Sequence, residues 1–494
     1  MLRRTVLDRI SSQRSLSLSD ADTRSVDSKD ESKDDAKDET QDERLRVVLL
    51  LPSFRRAALQ VERILAACEF RAQQVLYRGI PASDPLAADL RFEYHLEPLW
   101  HLEGEWAAGR AVTCLTWNKE NTDLLAVGYG KYLQQDQATG LVCMWSAKNP
   151  KLPERLYRFA SPVSALSFCG TRPNLLAVGM CNGGLALLDV SATEKSVVAD
   201  AGDGSESGVA SPSWEPIWSM EWMSGQEFLT GDEQVLVTAG QDGRVVRWRR
   251  GERGLEWTPM LRVAMAEGGE KGVPPLLEAS GHCPEREVGL RQFAAVLCMA
   301  PVPNDPVRYM VATEDGCVHT CSTNYLQRHK AVVAAHAGPV YRLSFSPFCE
   351  KIFLTCGADW TVRIWAVGLD EPLVTLTGGM QSVEDAVWSP RNSTILASIS
   401  GDDVCMWDLR RKTYLPASRT AWPHPSPPTT LLFSPGQDNL LVGDREGRVA
   451  ALALQHMPFA PYFQTKALVA SLERALATKP ALLAALKKRG EPFV

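Results

Sequence analysis

The feature that most limits the fold is a unit of about forty residues that recurs seven times between Val112 and Leu452. Each copy opens on a short apolar strand: VTCLTW at 112–117, VSALSF at 163–168, IWSMEW at 217–222, AVLCMA at 295–300, VYRLSF at 340–345, VEDAVW at 383–388 and TTLLF at 429–433. A second strand follows (LLAVGY, LLAVGM, VLVTAG, YMVATE, IFLTCG, ILASIS, LLVGD), then a Gly/Asp turn. A third strand ends near Trp145, Leu188, Trp248, Cys321, Trp365, Trp407 or Leu452. A unit this short cannot cover its own apolar sheet faces, whereas seven stacked units cover one another. The expected fold is all-β, a seven-bladed β-propeller over residues 98–457.

The copy ending at Ser344–Trp365 is the most complete. His336, Thr355, Asp359 and Trp365 stand where a loop imidazole, a strand hydroxyl, a turn carboxylate and an indole N–H satisfy one another inside a blade. Other copies keep part of this set: Thr238, Asp242 and Trp248 in blade three, Asn182 and Leu188 in blade two, Asp315 and Cys321 in blade four. Those blades depend more on apolar packing. Most third strands lead into an apolar outer strand, such as RLYRF in blade one and PLVTLT in blade five. Blade seven instead runs from Leu454 into Gln-His-Met-Pro, so Pro98–Glu103, upstream of the first inner strand, is expected to close the ring and remove an exposed edge. Two insertions rich in Gly, Ser, Glu and Pro, 191–214 and 250–291, read as surface loops.

Composition narrows the function. The 494 residues are 45% hydrophobic and 23% charged with a net charge of −6, which offers no bulk attraction to nucleic acid or to an anionic membrane. No apolar run reaches the length of a membrane span, and MLRRTVLDRI lacks a secretory apolar core. The twelve cysteines, scattered singly, are expected to be reduced. Cys317-Val-His-Thr-Cys321 is the nearest approach to a metal box, but its alternation on a strand favours core packing. There is no phosphate-cradling Gly loop with Lys, no HExxH and no GxSxG. No catalytic, cofactor-binding or metal-binding residue is therefore assigned; His336 reads as a structural member of its relay rather than as a general base.

Both flanks differ from the repeats. Residues 1–46 mix acids, bases and Ser with no aromatic, which predicts a disordered arm. Ser17, Ser28, Ser32 and Thr40 each precede an acid by three positions, a context for acid-directed kinases or an incidental feature of a solvating tail. Residues 47–80 predict an amphipathic helix with an N-cap at Ser53 and a stripe at Phe54, Ala58, Val61, Leu65, Cys68, Ala72 and Val75. The seam needs cover, from the propeller or from a partner, and the linker at 81–97 favours a partner. Residues 458–494 predict a helical extension with Leu468, Leu472 and Leu476 at i, i+4 spacing and a basic end at Lys487, Lys488 and Arg489. It either packs on the propeller or binds a partner.

The runs VTCLTWNKENTDLLAVGYG, TGLVCMWSAKNPKLPERLYRFASPVSALSF, HAGPVYRLSFSPFCEKIFLTCGADWTVRIWA and DAVWSPRNSTILASISGDDVCMWDL resemble the WD40-repeat region of dynein intermediate chains. Gly140–Tyr157 is the most specific part, because Val-Cys-Met-Trp-Ser followed by Lys-Asn-Pro and Pro-Glu-Arg is not demanded by a propeller. Within the family, the chain is most similar to axonemal chains of the two-headed inner arm, over residues 48–457. The resemblance implies a non-catalytic subunit of the ciliary or flagellar axoneme, without a cofactor. Its propeller would grip a dynein heavy-chain tail beside another intermediate chain, and its upstream segment would carry light chains. The region before the propeller is short for the family, which leaves the helix at 54–76 as the docking site for a roadblock-type light chain. A second reading comes from Trp407-Asp408-Leu409-Arg410, which resembles the WDxR box of cullin-RING ligase receptors; at the end of an ordinary strand, its Asp and Arg would simply be solvated.

Overall fold

The computed structural model describes residues 49, 51–69, 95–131, 139–147, 150–192, 196–202, 209–224, 234–251, 254–265, 293–326, 328–435, 439–455 and 460–488. The chain divides into two compact units, 1–90 and 91–494. In the first, helix α1 spans Pro52–Glu69. Proline opens it because the missing N–H falls where no intrahelical bond is needed, so Ser53 lies inside the helix rather than capping it. The arm at 1–46 with Ser17, Ser28, Ser32 and Thr40, the stripe positions Ala72 and Val75, and the linker up to residue 94 lie outside the described residues.

The second unit consists of seven four-stranded antiparallel sheets. Six are sequential meanders. In the seventh, Pro428–Phe433, Asn439–Asp444 and Val449–Gln455 are completed by His95–Leu102 from the start of the unit. Leu96 pairs with Leu454 and Leu102 with Val449, and both leucines are buried. The closing strand begins three residues before the expected Pro98. The two insertions are not wholly loops: Val197–Ala201 and Gly254–Arg262 are the outer strands of blades two and three. Charged and polar residues in VVADA and GLEWTPMLR hide the alternation, as suits strands paired along one side only.

Every inner strand is bulged within two residues of its start, at Thr113, Ser164, Trp218, Leu297, Tyr341, Glu384 and Thr429. The bulge turns that side chain out of the ladder. Where it is Ser or Thr, it staples one blade to the next: Thr113 Oγ1 donates to the Val163 carbonyl at 2.9 Å, Ser164 Oγ to Ile217 at 2.6 Å and Thr429 Oγ1 to Val112 at 2.6 Å. Indoles at the far end of inner strands do similar work, with Trp117 Nε1 donating to Phe433 O (3.0 Å) and Trp222 Nε1 to Ser167 O (3.2 Å).

Helices α2 (Gln464–Ala475) and α3 (Pro480–Lys488) follow the ring. Their Leu468, Leu472, Leu476, Leu482 and Leu486 join one buried cluster with Cys349, Ile352, Leu373 and Leu409 of blades five and six. Gln464 accepts from Ser393 N and donates to Arg391 O, Thr465 donates to Phe348 O, and Arg474 to Arg410 O. The stripe is thus covered by the propeller, on the end where inner strands finish.

Candidate interaction surfaces

Blade five gathers His336, Thr355, Asp359 and Trp365 into one chain of hydrogen bonds. The Trp365 indole N–H donates to Thr355 Oγ1 at 2.9 Å, which leaves the hydroxyl proton for His336 Nε2 at 2.7 Å. The remaining ring N–H, on Nδ1, faces Asp359 Oδ1 at 2.7 Å. Asp359 also accepts from Thr361 Oγ1 (2.8 Å), Ala337 N (3.3 Å) and Arg363 Nη2 (3.0 Å). Burial alone would raise this carboxyl, but the His336 hydrogen bond, the Thr361 hydroxyl and the Arg363 guanidinium hold it at about 2. With every polar group engaged inside the blade, the set is a clasp rather than a reactive centre. Arg363, which also donates to Ala335 O at 2.7 Å, is a member that the sequence reading missed. Blades three and six keep the indole–hydroxyl half, Trp248 to Thr238 at 2.8 Å and Trp407 to Ser398 at 2.9 Å.

The Cys317–Cys321 strand is core. Cys321 packs with Tyr309, Met299 and Val311, and burial pushes its thiol up to about 12. His319 is fully buried, beside His329 at 4.9 Å between ring centroids, and burial pulls it down to about 4, so it is neutral near pH 7. Among the described residues, no three His, Cys, Asp or Glu side chains group as metal ligands. No described helix is long and apolar enough to cross a membrane. The Trp407–Arg410 motif differs from expectation: Asp408 is buried rather than solvated, accepting from Arg410 N at 2.9 Å and pairing with Arg411 at 3.8 Å. This leaves Arg410 alone on the surface.

On α1, Phe54, Ala58, Val61 and Leu65 of the expected stripe are exposed, Leu65 by 52%, and Ile64 beside them is exposed too. Cys68 falls on the same helix, and its side chain lies outside the described set.

Seven sheets closed by an upstream strand, with an imidazole–hydroxyl–carboxylate–indole clasp in one of them, define the class: a seven-bladed WD-repeat propeller. The WD domain, G-beta repeat family matches residues 327–366, which contain the whole clasp. Dynein axonemal intermediate chain 4 of Danio rerio is 32% identical over 429 residues, 84% of this chain and 52% of the relative. Its counterpart in Homo sapiens is 35% identical over 372 residues, 74% of this chain and 42% of the relative. The 78 kDa intermediate chain of the flagellar outer arm dynein of Chlamydomonas reinhardtii is 29% identical over 373 residues, 73% and 51%. The chain spans about half the length of the curated relatives it matches. Across the propeller it is similar to the axonemal dynein intermediate chains.

Proposed function

We propose that this chain is a non-catalytic intermediate chain of an inner-arm axonemal dynein. Its propeller binds the heavy-chain tail beside another intermediate chain, and α1 carries light chains of the roadblock type. It thereby supports assembly and regulation of the motor that drives ciliary motion, while ATP hydrolysis belongs to the heavy chain. The axoneme, within the cytoskeleton of a cilium or flagellum, is the place that goes with a family whose members are named axonemal, ciliary and flagellar. No cofactor, nucleic acid or membrane has a part in this reading.

The observation that carries the proposal is the similarity to dynein intermediate chains across the propeller. The exposed apolar residues Phe54, Val61, Ile64 and Leu65 support a second attachment on α1. The ligase-receptor alternative is weakened by the inward-facing Trp407 and Asp408, which leave little of the WDxR box to present. The test is a pull-down from ciliated cells with Val61→Asp and Leu65→Asp combined. Two carboxylates in an apolar seam cost several kcal/mol if they stay ionised, so light chains should be lost while heavy chain is retained. Loss of heavy chain with light chains kept would refute this division of labour, as would no change in either.

A further inference from the structure

The turn between the second and third strands of blade five reads Ala358-Asp359-Trp360-Thr361, and Trp360 has φ 67°. In blades two, three, four and seven the corresponding residue is Gly183, Gly243, Gly316 or Gly447, with φ between 74° and 88°. Glycine suits those turns twice over. It tolerates the left-handed conformation, and a Cβ there would lie only 2.0 to 2.8 Å from a carbonyl of the following loop. Blade five alone among these places a large side chain on this strained backbone. The indole is 38% exposed, so burial does not account for it. A strained residue that persists where glycine would serve is a mark of function.

Its surroundings point the same way. Trp360 and Met380 line a hollow with Gln381, Glu384, Asp402, Pro427 and Pro428, and Met380 is 39% exposed. Tyr341, turned out by the inner-strand bulge of the same blade, is exposed near Glu384; partial burial of its phenol, and then the Glu384 charge, raise it. All of this lies at the end where inner strands begin. The opposite end of blades five and six is closed by α2 and α3. A partner gripping these two blades therefore meets Trp360.

We propose that Trp360, Met380 and Tyr341 anchor a docking surface whose occupant is an amphipathic helix of another chain, with an apolar ridge flanked by lysine or arginine. A helix is specified because this end of the blades consists of turns and loops and offers no open strand edge to extend. The cationic flank is specified by Glu384 and Asp402 at the rim, against the single Arg445 in the lining. Exposed Trp and Met lining a proline-walled hollow, with an exposed Tyr on the same end of the blade, are the composition of an interface centre. The inference rests on the heavy-chain reading above and takes the helix to belong to the heavy-chain tail.

The test uses the full tagged chain from ciliated cells, as wild type, Trp360→Gly and Met380→Glu, with heavy chain quantified by mass spectrometry and melting measured on the purified chains. Trp360→Gly restores the residue that four other blades use, so its melting midpoint should be unchanged or about 2 °C higher. Both variants should recover heavy chain about tenfold less well. Normal recovery with either well-folded variant overturns the docking surface and leaves the heavy-chain reading standing. Failure of the wild-type chain to recover heavy chain overturns both. A wild-type dimer that Trp360→Gly dissolves would assign the surface to a second copy of this chain, and also overturns the proposal.

Discussion

Asp359→Ala tests the blade-five clasp. The carboxylate accepts from His336, Thr361, Ala337 and Arg363, and these contacts depress it to about 2, so the fold prefers it charged. Because water reaches the rim of the turn and screens the charge, this preference contributes about 1–2 kcal/mol. The substitution also leaves the Nδ1–H of His336, whose side chain is fully buried, with only the longer contact to the Thr361 hydroxyl at 3.3 Å, adding about 1 kcal/mol. A loss of about 2–3 kcal/mol is expected in urea titrations at pH 7. The sign of the pH dependence follows from the depressed value. The stabilisation is complete above about pH 4 and is lost as pH falls through 2, so the gap between wild type and variant should narrow over that range. Asp444→Ala is the control. Burial raises the Asp444 carboxyl, its Oδ2 is buried without a hydrogen bond, and it accepts only from Glu446 N (3.0 Å) and Arg448 N (2.8 Å). Its removal should cost under about 1 kcal/mol at pH 7. A reversed ranking, or a gap for Asp359→Ala that stays constant from pH 6 to pH 2.5, would refute the reasoning.

Two further outcomes are expected. A chain beginning at Ala107 lacks the closing strand and uncovers the edge of Val449–Gln455, so it should melt lower and aggregate where one beginning at Asp89 does not; equal melting and solubility would count against closure as a source of stability. Leu472→Asp puts a carboxylate into the buried seam between α2 and blades five and six, and should release the helices, lower the melting midpoint and raise binding of an apolar dye; an unchanged melt would show that the helices rest on the ring without supporting it.

The blades were legible because their inner three strands are buried on both faces, which forces apolar runs such as LLAVGY and ILASIS between Gly/Asp turns. The outer strands Val197–Ala201 and Gly254–Arg262 were not, because they meet solvent and carry residues such as Asp200 and Glu256. His336, Thr355, Asp359 and Trp365 could be grouped from spacing, since each polar type has one natural partner in the turn. Arg363 could not, because an arginine on a strand reads as a solvated charge until its guanidinium is seen against Asp359. The leucine stripe of α2 was visible, but its destination was not, because periodicity marks an apolar face without naming what covers it. Trp360 lay plainly in the turn; its left-handed backbone is visible only in the folded chain, because nothing in the residue type calls for it.

The pairing of His95–Leu102 with Val449–Gln455 also sets the order of events during synthesis. Of the strands in the ring, the closing one is made first and its partner last, so the early segment must wait, with Leu96 and Leu102 uncovered, through translation of every blade. Contacts of such sequence separation form slowly, and the waiting chain presents both an unpaired strand and a growing open sheet edge. The nascent protein should depend on a holding factor until the last strand emerges. A stall or truncation after blade six would leave six formed sheets with nothing to fasten them, a species more prone to aggregate than one shortened much earlier.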